Sequence, residues 1–226
     1  MVHTISFPST KLSISRLIDN ENLHYIVLFA TFANKKYQKI YMNKEGNHLL
    51  RLFSYCPKCG AKAFIEDTEK SKRCEACGFV YFMNPSASTV AVIVDEGNRL
   101  LAVRRSKEPA KGTLDLPGGF CDCYETGEEG VRREVLEETG LEVIETRYLF
   151  SLPNMYRYSG LDIPTLDLFF LCKVAETTGA KAMDDAGEIL WLPWEEVKPE
   201  DFGLKSISLG VARLLELQAA SQAIDH

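Results

Sequence analysis

GGFCDCYETGEEGVRREVLEETGLEV, residues 118–143, carries Glu125, Glu128, Glu129, Glu134, Glu137 and Glu138 within fourteen positions. Thr126 followed three residues later by Glu129 is a capping box, so a helix is expected to begin at Gly127. Gly140 is the expected left-handed residue after the helix, which puts the last helical residue at about Thr139. Val131 and Val135 lie one turn apart and can face a core. Glu128 with Arg132, and Glu129 with Arg133, form i,i+4 pairs in the favourable order and suit a solvated helix face. Glu134 and Glu138 are also four apart, yet both are negative, and Glu137 sits between them. At about 100° per residue the three side chains fan over roughly 100° of the cylinder, beside the valine stripe. Three partly shielded carboxylates on one arc call for a cation, and oxygen-only ligation points to Mg²⁺ or Mn²⁺.

Around this helix the pattern is mixed. "STVAVIVDEGNRLLAVRRS" consists of two β-rich runs split by "DEGN", a hairpin signal. "TLDLPGGF" is a short strand that ends in a Gly-Gly turn. Strands are expected near "LEVIETRYLFSL", "LDLFFLCKV" and "EILWLPW", and a C-terminal helix over "LKSISLGVARLLELQAA", whose apolar residues recur at helical spacing. Interspersed strands and helices indicate the α+β class, a sandwich of sheet and helices.

Upstream lie two Cys-x-x-Cys turns, Cys56/Cys59 and Cys74/Cys77, separated by residues 60–73. The doubled motif matches a Cys₄ zinc ribbon. Each turn aims two sulfurs at one point, and the glycine after each pair lets the backbone fold back so that its amides face the thiolates. Four thiolates fill a tetrahedron around Zn²⁺ and leave no open position for water, so the site is expected to be structural. Cys172 reads as a small buried apolar residue, and Cys121 and Cys123 as incidental loop cysteines.

The formal net charge of −6 argues against a dedicated nucleic-acid coat, and no basic patch with interleaved aromatics is present. No apolar run approaches the ~20 residues of a membrane helix. Thiolate metal sites form most easily in a reducing compartment, so a cytoplasmic location is expected. The chain divides into an N-terminal extension over 1–50 with two strand-like runs ("LHYIVLFATF" and "KKYQKIYM"), a ribbon over 51–83 and a main domain over 84–226. Residues 1–41 have no partner motif, and Met42 is an alternative start.

The helix stretch carries a family resemblance. Gly119, five residues, Glu125, seven residues, Arg133-Glu134, Val135-Leu136, Glu137-Glu138, Thr139 and Gly140-Leu141 match every fixed position of the signature box of the Nudix hydrolases. The chain resembles that family from about residue 87 to 220. The resemblance implies the Nudix α/β/α sandwich and hydrolysis of a phosphoric anhydride bond linking a nucleoside to a second moiety, with divalent cations held by the box helix. By that resemblance Glu134, Glu137 and Glu138 are metal ligands, joined by the carbonyl of Gly118 or Gly119. Arg133 orients the carboxylates, and Glu125 supports them. The general base is a box glutamate or an acid from a later loop, where "KAMDDAGEILWLP" offers Asp184, Asp185 and Glu188. A homodimer is compatible with the resemblance, though no residue decides it.

A ribbon followed by the box is the order found in NADH pyrophosphatases, and "CGFVYFMNPSAST" resembles the stretch that joins the two modules there. The marker that family carries after the box, S-Q-P-W-P-F-P-x-S, is replaced by "SLPNMYRYSG". Ser151 and Pro153 fit, but the Trp-Pro-Phe-Pro core is missing, which puts NADH specificity in doubt. Tyr156 or Tyr158 offers a surface for a base or nicotinamide ring. Arg104 and Arg105 alternate across a strand, so one of them can face a phosphate. The sequence therefore points to a metal-dependent pyrophosphohydrolase acting on an NADH- or ADP-ribose-like substrate. The alternatives are a nucleoside triphosphate or nucleotide-sugar hydrolase, and a non-catalytic nucleotide-sensing or nucleic-acid-associated module.

Overall fold

The computed structural model of the protein describes residues 48–184 and 186–224. The expected N-terminal strands, Met42 and Asp185 lie outside the described residues.

The first module is a three-stranded antiparallel sheet of β1 (Phe64–Thr68), β2 (Ser71–Cys74) and β3 (Val80–Phe82) in sequence order. Its core is small. Cys56, Phe64 and Cys74 are buried, with Phe53, Ala61 and Phe79 packed around them. A core of this size does not hold a fold by apolar burial alone. The module touches the rest of the chain through Arg51, which donates from Nη2 to Asp162 Oδ2 at 3.2 Å.

The second module holds two further sheets. One is mixed, in the order β4 (Ser86–Ile93), β8 (Leu161–Val174), β7 (Val143–Tyr158), with β4 parallel and β7 antiparallel to β8. The other is antiparallel, in the order β6 (Leu114–Asp115), β5 (Arg99–Arg105), β9 (Ala186–Pro193). Helix α1 spans Gly127–Thr139 and helix α2 spans Lys205–Ile224.

Neighbouring residues on β4 and β5 go to opposite cores. Val90, Val92, Leu100 and Ala102 pack with Ile207, Val211, Leu214 and Leu217 of α2. Ala91, Ile93, Leu101 and Val103 pack with Val131 and Val135 of α1. The strands are therefore buried on both faces, which explains their continuous apolar runs. The result is an α/β/α sandwich, preceded by the small cysteine-bearing sheet.

The sequence expectation of a β4–β5 hairpin needs correction. The turn forms, with the Asp95 amide donating to the Arg99 carbonyl and a bridge between Val94 and Leu100. Beyond that bridge the two strands part and join different sheets. Each strand finds its ladder partners elsewhere, β4 beside β8 and β5 between β6 and β9. β7 and β8 are longer than expected, and run as one hairpin through "PNMYRYSGLDIP" to the Tyr158–Leu161 pair. Pro153 fits because β7 lies at the sheet edge, where a missing N–H costs no ladder bond.

Candidate functional site

The ends of α1 follow its sequence signals. Thr126 Oγ1 accepts from the Glu129 amide at 3.2 Å, and Glu129 Oε2 accepts from the Thr126 amide at 2.8 Å. Gly140 closes the helix at φ 71°. Val131 and Val135 are fully buried, a gain of roughly 1.5–3 kcal/mol each. Glu138 continues that stripe one turn further, at i+7 from Val131, so it is drawn into the domain and buried. Glu134 is 15 % exposed and Glu137 49 %. The three carboxylates thus step from interior to solvent along one arc.

Arg133 gathers the acids. Its Nε and Nη2 donate to the two oxygens of Glu125, both at 2.9 Å. Its Nη1 donates to Glu134 Oε1 at 2.8 Å and to Glu137 Oε2 at 3.1 Å, and Nη2 also reaches the Phe120 carbonyl at 3.0 Å. The expected Glu129–Arg133 pair does not form, since Glu129 caps the helix and Arg133 turns toward the site. Arg132 donates to the Val143 carbonyl instead of pairing with Glu128. The bidentate Arg133 contact holds the Glu125 carboxyl below its ordinary range, and the carboxylates raise Arg133 in turn. Burial pushes the Glu134 carboxyl up against the pull of Arg133, and the charges of Glu137 and Glu125 add to the rise. Arg133 is shared among Glu125, Glu134 and Glu137, so an added cation suits the arc.

Opposite the arc, residues 117–121 run along β4. The Ala91 amide donates to the Pro117 carbonyl at 2.7 Å, the Thr89 amide to the Gly119 carbonyl at 2.8 Å, and the Cys121 amide to the Ala87 carbonyl at 3.1 Å. Gly118 has φ 151°, and a Cβ there would lie 2.0 Å from the Thr89 carbonyl oxygen. A Cβ on Gly119 would lie 2.6 Å from Glu134 Oε1. Both glycines are therefore required by space: the first to let the turn lie on β4, the second to let Glu134 approach the turn. The Gly118 amide donates to Glu138 Oε2 at 3.1 Å. The Gly119 carbonyl thus already accepts one hydrogen bond, from Thr89.

The arc and the turn form one wall of a cavity of about 390 Å³. Arg105 lines it and Arg104 does not. Arg105 pairs with the buried Asp115 and with the Tyr156 hydroxyl. Burial raises the Asp115 carboxyl, although the Arg105 guanidinium works against the rise. Arg104 Nε instead donates to Glu188 Oε2 at 2.8 Å. Glu188, 54 % exposed, is held by this pair and is not among the residues lining the cavity. Asp184 does line the cavity, with Lys107 at 3.8 Å. Tyr156 lines it and meets Phe120 edge to face at 5.5 Å between ring centres. Tyr158 is exposed and outside. Sequence reasoning did not find Ser88, Thr89, Phe120, Asn154, Thr165 or Asp167, all of which line the cavity. One signal was available: the alternation in "TLDLFF" puts Asp167 on the inward face with Phe169, a charge at a core position.

In the ribbon, the sulfurs of Cys56, Cys59, Cys74 and Cys77 all lie within 4.8 Å of one another. The Cys56–Cys77 and Cys59–Cys74 separations are 3.7 Å. Four sulfurs about 2.3 Å from a tetrahedral Zn²⁺ would be about 3.8 Å apart, so the set fits that ion and no disulfide. Burial pushes the Cys56 thiol up, and the Cys59 and Lys58 amides facing its sulfur more than reverse this, bringing it to about 7. No helix among the described residues is long and apolar enough to cross a membrane.

A family model described as "NUDIX domain" matches residues 84–209, more than half of the chain. The chain is 34 % identical over 111 residues to the NAD-capped RNA hydrolase NudC of Haemophilus influenzae, covering 48 % of this chain and 42 % of that protein. It is 45 % identical over 60 residues to the ADP-ribose pyrophosphatase of Methanocaldococcus jannaschii, covering 26 % of this chain and 35 % of that one. These alignments span less than half of either relative. Among solved structures, a NUDIX hydrolase from Nitrosomonas europaea superposes with a TM-score of 0.56 at 20 % identity, over 74 % of this chain and 90 % of that one.

Proposed function

The chain belongs to the Nudix family, and from that premise we propose that it is a divalent-metal-dependent pyrophosphohydrolase cleaving the diphosphate of a nucleoside diphosphate-linked substrate. One observation carries the reading: Glu134, Glu137 and Glu138 converge with the Gly118–Gly119 turn on the wall of a single cavity that also presents Arg105 and Lys107. The three glutamates and a carbonyl of that turn form an all-oxygen set that fits Mg²⁺ or Mn²⁺. Such an ion neutralises a diphosphate and lowers the pKa of a water.

The chain's own residues do the rest. Arg133 fixes the rotamers of Glu134 and Glu137, and Glu125 fixes Arg133, so the carboxylates are pre-set rather than gathered at the moment of reaction. Arg105, held by Asp115, offers a cationic surface to a phosphate oxygen. Asp184, which lines the cavity just after Met183, whose amide donates to the Glu138 carbonyl at the end of α1, is the acid placed to take a proton from the attacking water. The Phe120–Tyr156 pair gives a planar ring an apolar face. The ribbon, taken as residues 51–83, holds structural Zn²⁺ and braces the β7–β8 hairpin through Arg51 and Asp162. The hydrolase domain is taken as 84–226.

NADH- and ADP-ribose-like dinucleotides are the favoured substrates, because the two relatives described above bear names of enzymes acting on an NAD- or ADP-ribose-linked group. The full acid arc weighs against a module that only senses a nucleotide. The test incubates the protein with Mg²⁺ or Mn²⁺ and NADH, NAD⁺, ADP-ribose, nucleotide sugars and nucleoside triphosphates, and resolves the products by chromatography. AMP plus a second phosphate-bearing product from a diphosphate-linked member supports the reading. No cleavage of any member, from folded protein, overturns it.

A further inference from the structure

Away from the acid arc, the cavity has a polar floor that metal-assisted hydrolysis does not require. Three adjacent strands build it. Asn154 on β7 is in register with Thr165 on β8, and Ser88 on β4 with Asp167 on β8. Asn154 is 7 % exposed and lines the cavity. The Thr89 hydroxyl in the same cavity, on a residue 1 % exposed, is without a partner among the described residues. A buried polar group with no partner costs about 1–3 kcal/mol. The Thr89 hydroxyl, with Asn154 lining the same cavity, therefore marks a place where a ligand group is expected.

The polarity of the floor is set by Asp167. Its Oδ1 accepts from Ser88 Oγ at 2.5 Å and Thr165 Oγ1 at 2.6 Å, and its Oδ2 accepts from Ser206 Oγ at 2.5 Å. A carboxylate only accepts, so each hydroxyl commits its single hydrogen to Asp167. What Ser88 and Thr165 can still show the cavity is lone pairs. Asn154 supplies acceptor and donor together. A ligand oxygen placed among these lone pairs is repelled, whereas an N–H is received.

Resting on the hydrolase reading above, we propose that Ser88, Asn154, Thr165 and Asp167 form a subsite that selects the exocyclic nitrogen of a planar ring, the amine of an adenine or the carboxamide of a nicotinamide. The Phe120–Tyr156 pair, 5.5 Å between centres and lining the same cavity, gives that ring its flat contact. Asn154 completes the bidentate pairing that either group offers. Asp167 acts as a positioning residue, because it dictates which way the hydroxyls point.

The experiment compares NAD⁺ with nicotinic acid adenine dinucleotide and nicotinamide hypoxanthine dinucleotide, each lacking one of the two nitrogens. kcat/KM is measured with Mg²⁺, and Kd by calorimetry with Ca²⁺ in its place. One of the two deaminated compounds is expected to lose about tenfold or more in both readouts, since a site built to bond an N–H rejects its oxo analogue. The compound that fails names the end that occupies the floor. Asp167→Asn, which can itself donate and lets the hydroxyls turn, is expected to bring the two ligands within about threefold of each other. Asn154→Ala is expected to weaken the amino-bearing ligand by about tenfold, one lost hydrogen bond. Equal handling of all three dinucleotides, binding of none, or a ratio unmoved by Asp167→Asn overturns the subsite. Equal cleavage of all three leaves the hydrolase reading standing. Selective binding without cleavage refutes that reading and leaves the subsite.

Discussion

Gly119→Ala is the most economical perturbation of the site. A Cβ at 119 falls 2.6 Å from Glu134 Oε1, 2.7 Å from its Cδ and 2.8 Å from Oε2. Real Cβ contacts essentially never fall under 3.0 Å and ordinary contact begins at 3.4 Å, so the carboxylate must retreat by about 0.4–0.8 Å. It cannot retreat freely, because Arg133 Nη1 holds Oε1 at 2.8 Å. A misplacement approaching 1 Å in a positioned group costs on the order of a hundredfold in rate. We therefore expect kcat/KM to fall about 10- to 100-fold, with a thermal midpoint within a few degrees of the parent, since the clash is with a side-chain end. Gly118→Ala is the control. Its Cβ meets the Thr89 backbone oxygen at 2.0 Å, and its φ of 151° disfavours any side chain. That variant is expected to lose stability, by about 1–3 kcal/mol or more. The assay is steady-state hydrolysis of the best panel substrate beside thermal denaturation of both variants. Full activity in Gly119→Ala would refute the claim that Glu134 must close on this turn.

Further outcomes follow from the same contacts. Arg133→Gln releases Glu125, Glu134 and Glu137 together, and is expected to lower kcat by about 10²-fold with a higher metal requirement, read from Mg²⁺ titrations of rate. The Thr126 amide, followed by its hydroxyl, holds Glu129 below its usual value of 4.5. Its contribution to stability is therefore present above about pH 4.5 and disappears as pH falls through the depressed value. Glu129→Gln should flatten that part of the acid limb in melting curves taken from pH 6 to pH 3, whereas an unchanged limb would count against the capping role. The Cys₄ set should hold one zinc per chain by elemental analysis. Its removal should expose residues 56–78 to protease, because the small core around Phe64 cannot hold the ribbon alone.

The helix at the centre of the site was legible because its signals are local. Thr126, Glu129 and Gly140 state its ends within fifteen residues, and Val131 and Val135 state its buried face. The cysteine pairs were legible for the same reason. What escaped was set by partners distant in sequence. Val90 to Ile93 and Leu100 to Val103 look like two arms of a hairpin, and nothing local says that each belongs to a different sheet. Arg104 and Arg105 were equivalent as letters; Glu188, eighty-four residues on, takes Arg104 and leaves Arg105 to the cavity. The polar floor needed β4, β7 and β8 to be in register before Ser88, Asn154 and Asp167 could meet.

The central claim is that the Glu134–Glu137–Glu138 arc works as a cation-dependent hydrolytic centre. Glu138→Gln tests it most directly, because Glu138 is the most deeply set of the three and keeps its shape in the exchange. With circular dichroism and the melting midpoint unchanged, Mg²⁺- or Mn²⁺-dependent turnover of the best diphosphate-linked substrate is expected to fall by about 10³-fold or more. Turnover within a few fold of the parent, from a folded variant, would contradict the account.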